Sequence, residues 1–247
     1  QKGTADAINS VKRLIKQKHL LILFGDVPLI SIQTIKKLIF NFRQNRSLAS
    51  MVAFNSSNPH GYGRLLLKKN KVFKVVEEIS ANQDEKKITI CNSGIMLVDS
   101  NIFFNNLNSI KINKVKKEKY LPDIFEIYSK KQIPFSLIIS PENEMLGVNT
   151  LSDFLHADKI LQNNLLKKFI EKGVLFLKPE SIYFSYDTVI EKGVIIEQNV
   201  TLKNKVIIKS GSLIKSNSYI EGAKIEKDCV IGPSARIRPS SVIGNKS

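Results

Sequence analysis

The first residue positioned for chemistry is a carboxylate at the end of an apolar run. Leu20-Leu21-Ile22-Leu23-Phe24 reads as a buried strand and leads straight into Gly25-Asp26-Val27-Pro28. That pattern predicts Asp26 at the carboxyl end of a parallel strand, where open α/β sheets bind their ligands. Magnesium takes hard oxygen donors, usually one or two protein side chains plus substrate phosphates, and a strand-end Asp suits that role. Capping the helix that follows is the alternative role for the same residue. Thiol chemistry and zinc are not signalled. Cys91 and Cys229 are far apart, with no CxxC or Cys/His spacing, and are expected to be buried reduced thiols.

The elements that must position Asp26 alternate in kind. Besides Leu20 to Phe24, strands are predicted over Leu48 to Phe54, Val72 to Val76, Ile95 to Val98 and Phe135 to Ile139. Between them Ile8, Val11, Leu14 and Ile15 recur at helical spacing, as do Ile35, Leu38, Ile39 and Phe42. This alternation predicts an α/β domain with a mainly parallel sheet over residues 1–151. Leu151 to Lys172 reads as helical throughout, and residues 152–172 are expected to form a linker.

The periodicity then changes. Apolar residues fall at Ile190, Ile196, Leu202, Ile208, Ile214, Ile220, Ile225, Ile231, Ile237 and Ile243, six apart except for one step of five. An amphipathic helix returns its apolar face every three or four residues, so this is not one. A hexapeptide β-helix over residues 173–247 satisfies the spacing: each six-residue side points one aliphatic residue inward. Gly193, Asn199, Gly211, Asn217 and Gly232 are predicted at the corners, and the short step predicts a tightened corner near Glu221-Gly222. The last isoleucine, Ile243, lies close to Ser247 with no capping segment after it, which leads us to expect more coils in the parent protein.

A net charge of +16 raises the question of nucleic acid, since basic proteins bind it by neutralising phosphates. The charge is scattered, as in Lys12-Arg13, Lys68-Lys69, Lys86-Lys87, Lys116-Lys117 and Lys167-Lys168, with no aromatic-interleaved stripe. Solvated lysine-rich faces, and no nucleic-acid partner, are the expectation. The longest apolar run, His19 to Phe24, is far short of the roughly 20 residues that cross a bilayer, and no amino-terminal export pattern is present. A cytoplasmic protein without a membrane partner is expected.

Four further segments carry a resemblance: Asn58-Pro59-His60-Gly61-Tyr62-Gly63-Arg64, Val75-Val76-Glu77-Glu78, Asn92-Ser93-Gly94-Ile95 and Gly147-Val148-Asn149-Thr150. With Leu23 to Ile30 they resemble, in order and spacing, the sugar-1-phosphate nucleotidyltransferases. Together with Ile231-Gly232-Pro233-Ser234-Ala235-Arg236-Ile237-Arg238-Pro239, the whole chain looks like N-acetylglucosamine-1-phosphate uridylyltransferase fused to glucosamine-1-phosphate N-acetyltransferase. The resemblance implies a Rossmann-like domain followed by a left-handed parallel β-helix. It implies uridylyl transfer from UTP to N-acetylglucosamine 1-phosphate with Mg2+, in a parent that also acetylates glucosamine 1-phosphate from acetyl-CoA and assembles as a homotrimer through the β-helix. Such a parent supplies precursors of peptidoglycan and lipopolysaccharide.

Residue by residue, Gly3 and Thr4 resemble the family's uracil contacts, and Phe24, Gly25 and Asp26 its nucleotide segment. Gly63, Glu77 and Asn92 resemble its sugar-phosphate contacts, Asp26 and Asn149 its magnesium ligands, and Arg238 an acetyltransferase-substrate contact. Phe24 replaces a usual Tyr, and Pro122 replaces a Thr that commonly holds the sugar phosphate, leaving Tyr120 as the nearby hydroxyl. The family's glycine-rich loop precedes the segment matched by Gly3-Thr4, and its acetyl-transfer base lies in later coils. The resemblance therefore implies an internal part of such an enzyme, inactive or nearly so by itself and without an assignable catalytic residue. A nucleotidyltransferase making another activated sugar and a non-catalytic regulatory subunit of this fold are the rival readings.

Overall fold

Apolar runs buried on both sides need cover on both sides, and this decides the architecture of the first unit. The protein, seen in a computed structural model, is described over residues 3–68, 71–113 and 118–247. It divides into two units, Gln1–Asp153 and Phe154–Ser247. The first contains α1 (Thr4–Ser10), β1 (His19–Ile22), α2 (Ile32–Gln44), β2 (Ala49–Asn55), β3 (Arg64–Lys68), β4 (Lys71–Val76) and α3 (Gln83–Lys86). Then come β5 (Ile90–Asp99), α4 (Ser100–Leu107), α5 (Ile124–Lys130) and β6 (Phe135–Ser140).

Strand β2 shows the layering. Its Ala49, Met51 and Ala53 join one apolar cluster with Phe103, Phe125 and Tyr128, while Val52 and Phe54 join another with Leu38 and Phe42 of α2. Alternate side chains thus enter opposite cores, as period-2 geometry requires. Helix α2 starts at a serine N-cap, where the Ser31 hydroxyl accepts the Thr34 N–H at 3.1 Å.

The sheet order is β4-β3-β5-β2-β6, with β1 also on β5. Among the pairings described, only β2 with β6 is parallel. The expectation of a mainly parallel sheet is therefore corrected. An apolar run reports burial on both faces, not strand direction; direction follows from connections, and only two residues separate β3 from β4, which forces an antiparallel pair. Strand β1 runs antiparallel to β5, with Ile22 opposite Met96, and ends before Phe24. Asp26 thus sits in the turn after an antiparallel strand, not at the end of a parallel one. The helix expected over Ile8 to Ile15 also stops early, at Ser10, and gives way to a short 3-10 turn, Lys12–Leu14. Leu14 is 78% exposed, so no burial favours a longer helix there.

The second unit begins with α6 (Leu151–Glu171), which starts just before the division. Its first coil is β7 (Leu175–Phe176), β8 (Tyr183–Phe184) and β9 (Val189–Ile190). The second is β10 (Ile195–Ile196), β11 (Thr201–Lys203) and β12 (Ile207–Ile208). The third is β13 (Leu213–Ile214), β14 (Tyr219–Glu221) and β15 (Lys224–Ile225), and the fourth β16 (Val230–Ile231), β17 (Arg236–Ile237) and β18 (Val242–Ile243). Equivalent strands pair in parallel into three four-stranded sheets, the architecture of a hexapeptide β-helix.

Ile196, Leu202, Ile208, Ile214, Ile220 and Ile225 are fully buried in one core, and Ile237 and Ile243 pack against it partly buried. The ladder begins earlier than the isoleucines indicate, with Phe176 and Phe184, whose eight-residue separation hides the repeat. Leu165 and Phe169 of α6 join this core, and the Gln162 amide donates to the Phe184 carbonyl (2.8 Å) and accepts its N–H (2.9 Å). The helix thereby covers the first coil, as solenoid ends require. All five predicted corner residues have positive φ, among them Asn199 at 56° and Asn217 at 61°. The five-residue step is a corner with one residue removed. Asn204 and Lys205 both take positive φ in the coil before, whereas Gly222 alone does so here, its N–H bonded to the carbonyls of Lys203 and Asn204.

Candidate functional site

A break in the pairing of β5 opens the site. Between Met51 opposite Met96 and Ala53 opposite Asn92 the register shifts, leaving Ser93, Gly94 and Ile95 facing a single residue of β2. Gly94 has φ +80°, and a Cβ there would lie 2.7 Å from the Phe24 ring, so only glycine fits both the backbone and the neighbour. The Ser93 hydroxyl donates to the Val52 carbonyl at 2.7 Å, closing the gap in the ladder. A bulge of this kind re-aims side chains, and here it turns Asn92 to the wall of a cleft of about 270 Å³.

Asn92 is 8% exposed, and its Oδ1 is buried with no hydrogen-bond partner among the described residues. Its N–H donates to the Gly63 carbonyl at 2.8 Å, tying the strand to the Gly61-Tyr62-Gly63 edge of the cleft. A Cβ on Gly63 would stand 3.2 Å from Glu77 Oε1 and from Val75, so this glycine lets the Glu77 carboxylate come close. Glu77 follows β4 directly, in extended backbone.

The opposite wall comes from chain far away in sequence. Tyr120 and Pro122 line the cleft from the short 3-10 turn at Leu121–Asp123 and the residue before it. The Thr4 hydroxyl oxygen accepts the Leu121 N–H at 3.0 Å, which pins α1 to this wall. Burial raises the Tyr120 pKa, with the carboxylates of Glu118, Glu77 and Asp123 adding to the effect, so its hydroxyl keeps its proton. Asp123, just behind, is pushed up to about 6 by burial and by Glu126, with Lys74 opposing. Gly3 abuts the Lys119 backbone and lines a neighbouring cavity that shares Thr4 and Tyr120.

Asp26 and Asn149 line the same cleft, although over a hundred residues separate them in the sequence. The Val148 N–H donates to the Asp26 carbonyl at 2.7 Å, so the two segments are joined main chain to main chain. Asn149 is held from the other side too. Its N–H and that of Thr150 donate to the Asp153 carboxylate at 3.1 and 2.9 Å, while Thr150 Oγ1 accepts the Asp153 N–H, a capping arrangement at the start of α6.

Of the residues singled out in the sequence, Thr4, Phe24, Asp26, Gly63, Glu77, Asn92, Tyr120 and Asn149 meet at one cleft. Gly25 is exposed beside it, and Arg238 is exposed in the β-helix unit, after β17. Val27, Ser93 and Met145 also line the cleft; the first two lie inside quoted motifs without being singled out, and Met145 lies outside them.

No family model matches the chain. Among curated proteins it is 38% identical over 238 residues to the bifunctional protein GlmU of Bartonella bacilliformis, covering 96% of this chain and 53% of that protein. It is 33% identical over 251 residues to the bifunctional protein GlmU of Zymomonas mobilis, covering all of this chain and 56% of that protein. Among solved structures, a putative glucose-1-phosphate thymidylyltransferase of Bacillus anthracis superposes with a TM-score of 0.50 at 18% identity, over 64% of this chain and 60% of that one, a likeness of fold. The chain spans about half the length of the curated relatives it matches. Along essentially its whole sequence, the chain is similar to the bifunctional GlmU proteins.

Proposed function

We propose that the cleft holds N-acetylglucosamine 1-phosphate and UTP, and that the protein carrying this sequence transfers the uridylyl group to give UDP-N-acetylglucosamine and pyrophosphate. The observation that carries the reading is the buried, unpartnered Oδ1 of Asn92. Leaving such an acceptor unpaired costs about 1–3 kcal/mol, which a ligand donor recovers. The partner must bring an N–H or O–H, as a sugar hydroxyl or acetamido group does and a bare phosphate oxygen does not. Glu77 and the Tyr120 hydroxyl add an acceptor and a donor on the same cleft, a polar set suited to a sugar. Thr4 and Gly3 border the uracil end, with Phe24 and Gly25 along the nucleotide.

Asp26 and Asn149 fit a magnesium ion. Both offer hard oxygens at the cleft, their main chains are joined, and a two-residue set leaves room for substrate phosphates and water. Among the described residues no group of three or more His, Cys, Asp or Glu forms a metal cage, so an ion shared with the substrate suits this donor set. When bound, magnesium neutralises charge on the phosphoryl oxygens during transfer. The chain's own residues position the sugar-phosphate oxygen for in-line attack at the α-phosphorus.

The relatives are bifunctional, and we extend the proposal to acetylation of glucosamine 1-phosphate from acetyl-CoA, with Arg238 contacting that substrate. Outward residues Leu175, Ile195 and Val230, exposed by 53, 37 and 51%, form with Leu213 an apolar ladder on one face of the β-helix. Such a face supports the proposed homotrimer.

Pyrophosphate release from UTP and N-acetylglucosamine 1-phosphate, measured on the protein that carries this sequence rather than on these 247 residues alone, tests the reading. Asp26→Ala, with the fold intact, is expected to lower turnover about 100-fold or more. Equal turnover by wild type and variant removes the metal assignment, and equal turnover with glucose 1-phosphate removes the sugar assignment.

A further inference from the structure

Arg64 is 2% exposed at the start of β3, one residue beyond the glycine that borders the cleft, and its guanidinium does not reach the cleft lining. It pairs with Glu78 at 2.6 Å and donates to the Tyr62 carbonyl. The same Glu78 oxygen accepts the Gly61 N–H at 3.2 Å. Two backbone groups of the Gly61-Tyr62-Gly63 edge are thus held by one ion pair, and Glu78 follows Glu77, whose carboxylate stands close to Gly63. The Tyr62 ring is fixed as well, edge-on to Phe54 at 4.9 Å.

An ion pair whose cation is buried, with its carboxylate 20% exposed, stabilises a fold poorly, because desolvation offsets much of the attraction, and apolar residues of like size often do as well. This pair is not even saturated: Arg64 Nε is buried without a partner among the described residues. What the pair does that apolar residues cannot is fix a carbonyl and an N–H of one cleft edge relative to the carboxylate beside them. Burial opposes the charge on Glu78, yet Arg64 and the Gly61 N–H outweigh it and hold the carboxylate below its ordinary pKa. Lys86, 4.0 Å away and half exposed, and His60 also face it.

We infer that the Arg64–Glu78 pair is a latch that presets the Gly61–Gly63 edge against Glu77, making Arg64 and Glu78 positioning residues for the sugar phosphate. The inference rests on the sugar-binding reading of the cleft. Misplacement of a contact by an ångström is enough to lose much of its contribution, so the latch acts on affinity without touching ligand.

The test is titration of the 247-residue chain with UDP-N-acetylglucosamine and magnesium, followed by amide NMR, for wild type, Asn92→Ala, Glu78→Gln and Arg64→Lys. Glu78→Gln is nearly isosteric at a partly exposed site and is expected to unfold cooperatively; Arg64→Lys keeps the charge but is too short to bring a nitrogen to the place where Arg64 Nη1 meets both acceptors. Both are expected to weaken binding about tenfold, with the Gly61 and Gly63 amide resonances shifted in the free protein. Affinity within twofold of wild type in both variants, while Asn92→Ala binds weakly, overturns the latch and leaves the sugar reading standing. Weakened binding with unmoved Gly61 and Gly63 amides also overturns it. No binding by wild type removes the sugar reading itself.

Discussion

The two units solve the problem of burying a core in opposite ways. In the β-helix every coil repeats the same instruction, so Ile196, Ile214 and Ile231 stack at equivalent positions and each position in sequence states its place in space. In the α/β unit the cleft is assembled from segments near residues 4, 26, 63, 77, 92, 120 and 149, none of which repeats another. The comparison teaches that a regular core tolerates change at its outward positions and punishes it inward. An irregular cleft concentrates its sensitivity at the few residues whose backbone permits the close approaches.

Replacing Ile208, fully buried at the centre of the β-helix, by Asp sharpens the contrast most. An unpaired charge in that interior is expected to cost about 3–5 kcal/mol in denaturant unfolding, whereas Val189→Asp, on an outward position 46% exposed, is expected to cost less than about 1 kcal/mol. Similar losses for the two break the inward–outward distinction.

Glycines at positive φ give the next test. Gly94→Ala adds a Cβ 2.7 Å from the Phe24 ring as well as backbone strain, and is expected to cost about 2 kcal/mol and to weaken sugar binding. Gly211→Ala, at φ +74°, meets the carboxylate end of the Asp228 side chain, which can swing aside. Its expected cost is about 1 kcal/mol with sugar affinity unchanged. An unaltered affinity in Gly94→Ala removes the bulge from the account of the site.

Asp123 supplies the smallest effect and a pH signature confined to the cleft unit. Its folded pKa, about 6, lies above its ordinary value of 3.8, so the folded state holds the proton more tightly. Stability from this group is present at low pH and is lost as pH rises from about 4 through 6. Asp123→Asn is therefore expected to be more stable than wild type by about 1 kcal/mol at pH 7, with the difference vanishing near pH 4. Thermal unfolding against pH checks it; a constant difference across that range contradicts the assignment.

How far the sequence reaches follows the same division. The β-helix is legible because burial there depends on a single spacing, and the corners are read from residues that accept positive φ, such as Asn199 and Gly211. Within the predicted bounds, the first two inward residues, Phe176 and Phe184, are not read from the repeat because eight residues separate them. In the α/β unit five of the six strands are legible, β3 being missed, but their directions are not, since an apolar run such as β1 carries no mark of its partner's orientation. The cleft residues are found through motif resemblance, which names Asn92 and Glu77 but not the bulge that aims one or the glycine that admits the other. Arg64 stands in one of those motifs, and only its burial beside Glu78 distinguishes it from an ordinary surface arginine.

The most direct test of the central claim is a crystal structure of this chain with UDP-N-acetylglucosamine and magnesium. The account predicts the sugar in the cleft, with an N–H or O–H donor about 2.7–3.2 Å from Asn92 Oδ1 and the metal between Asp26 and Asn149. A ligand seated elsewhere, or a sugar in the cleft that leaves Asn92 Oδ1 unpaired, contradicts it.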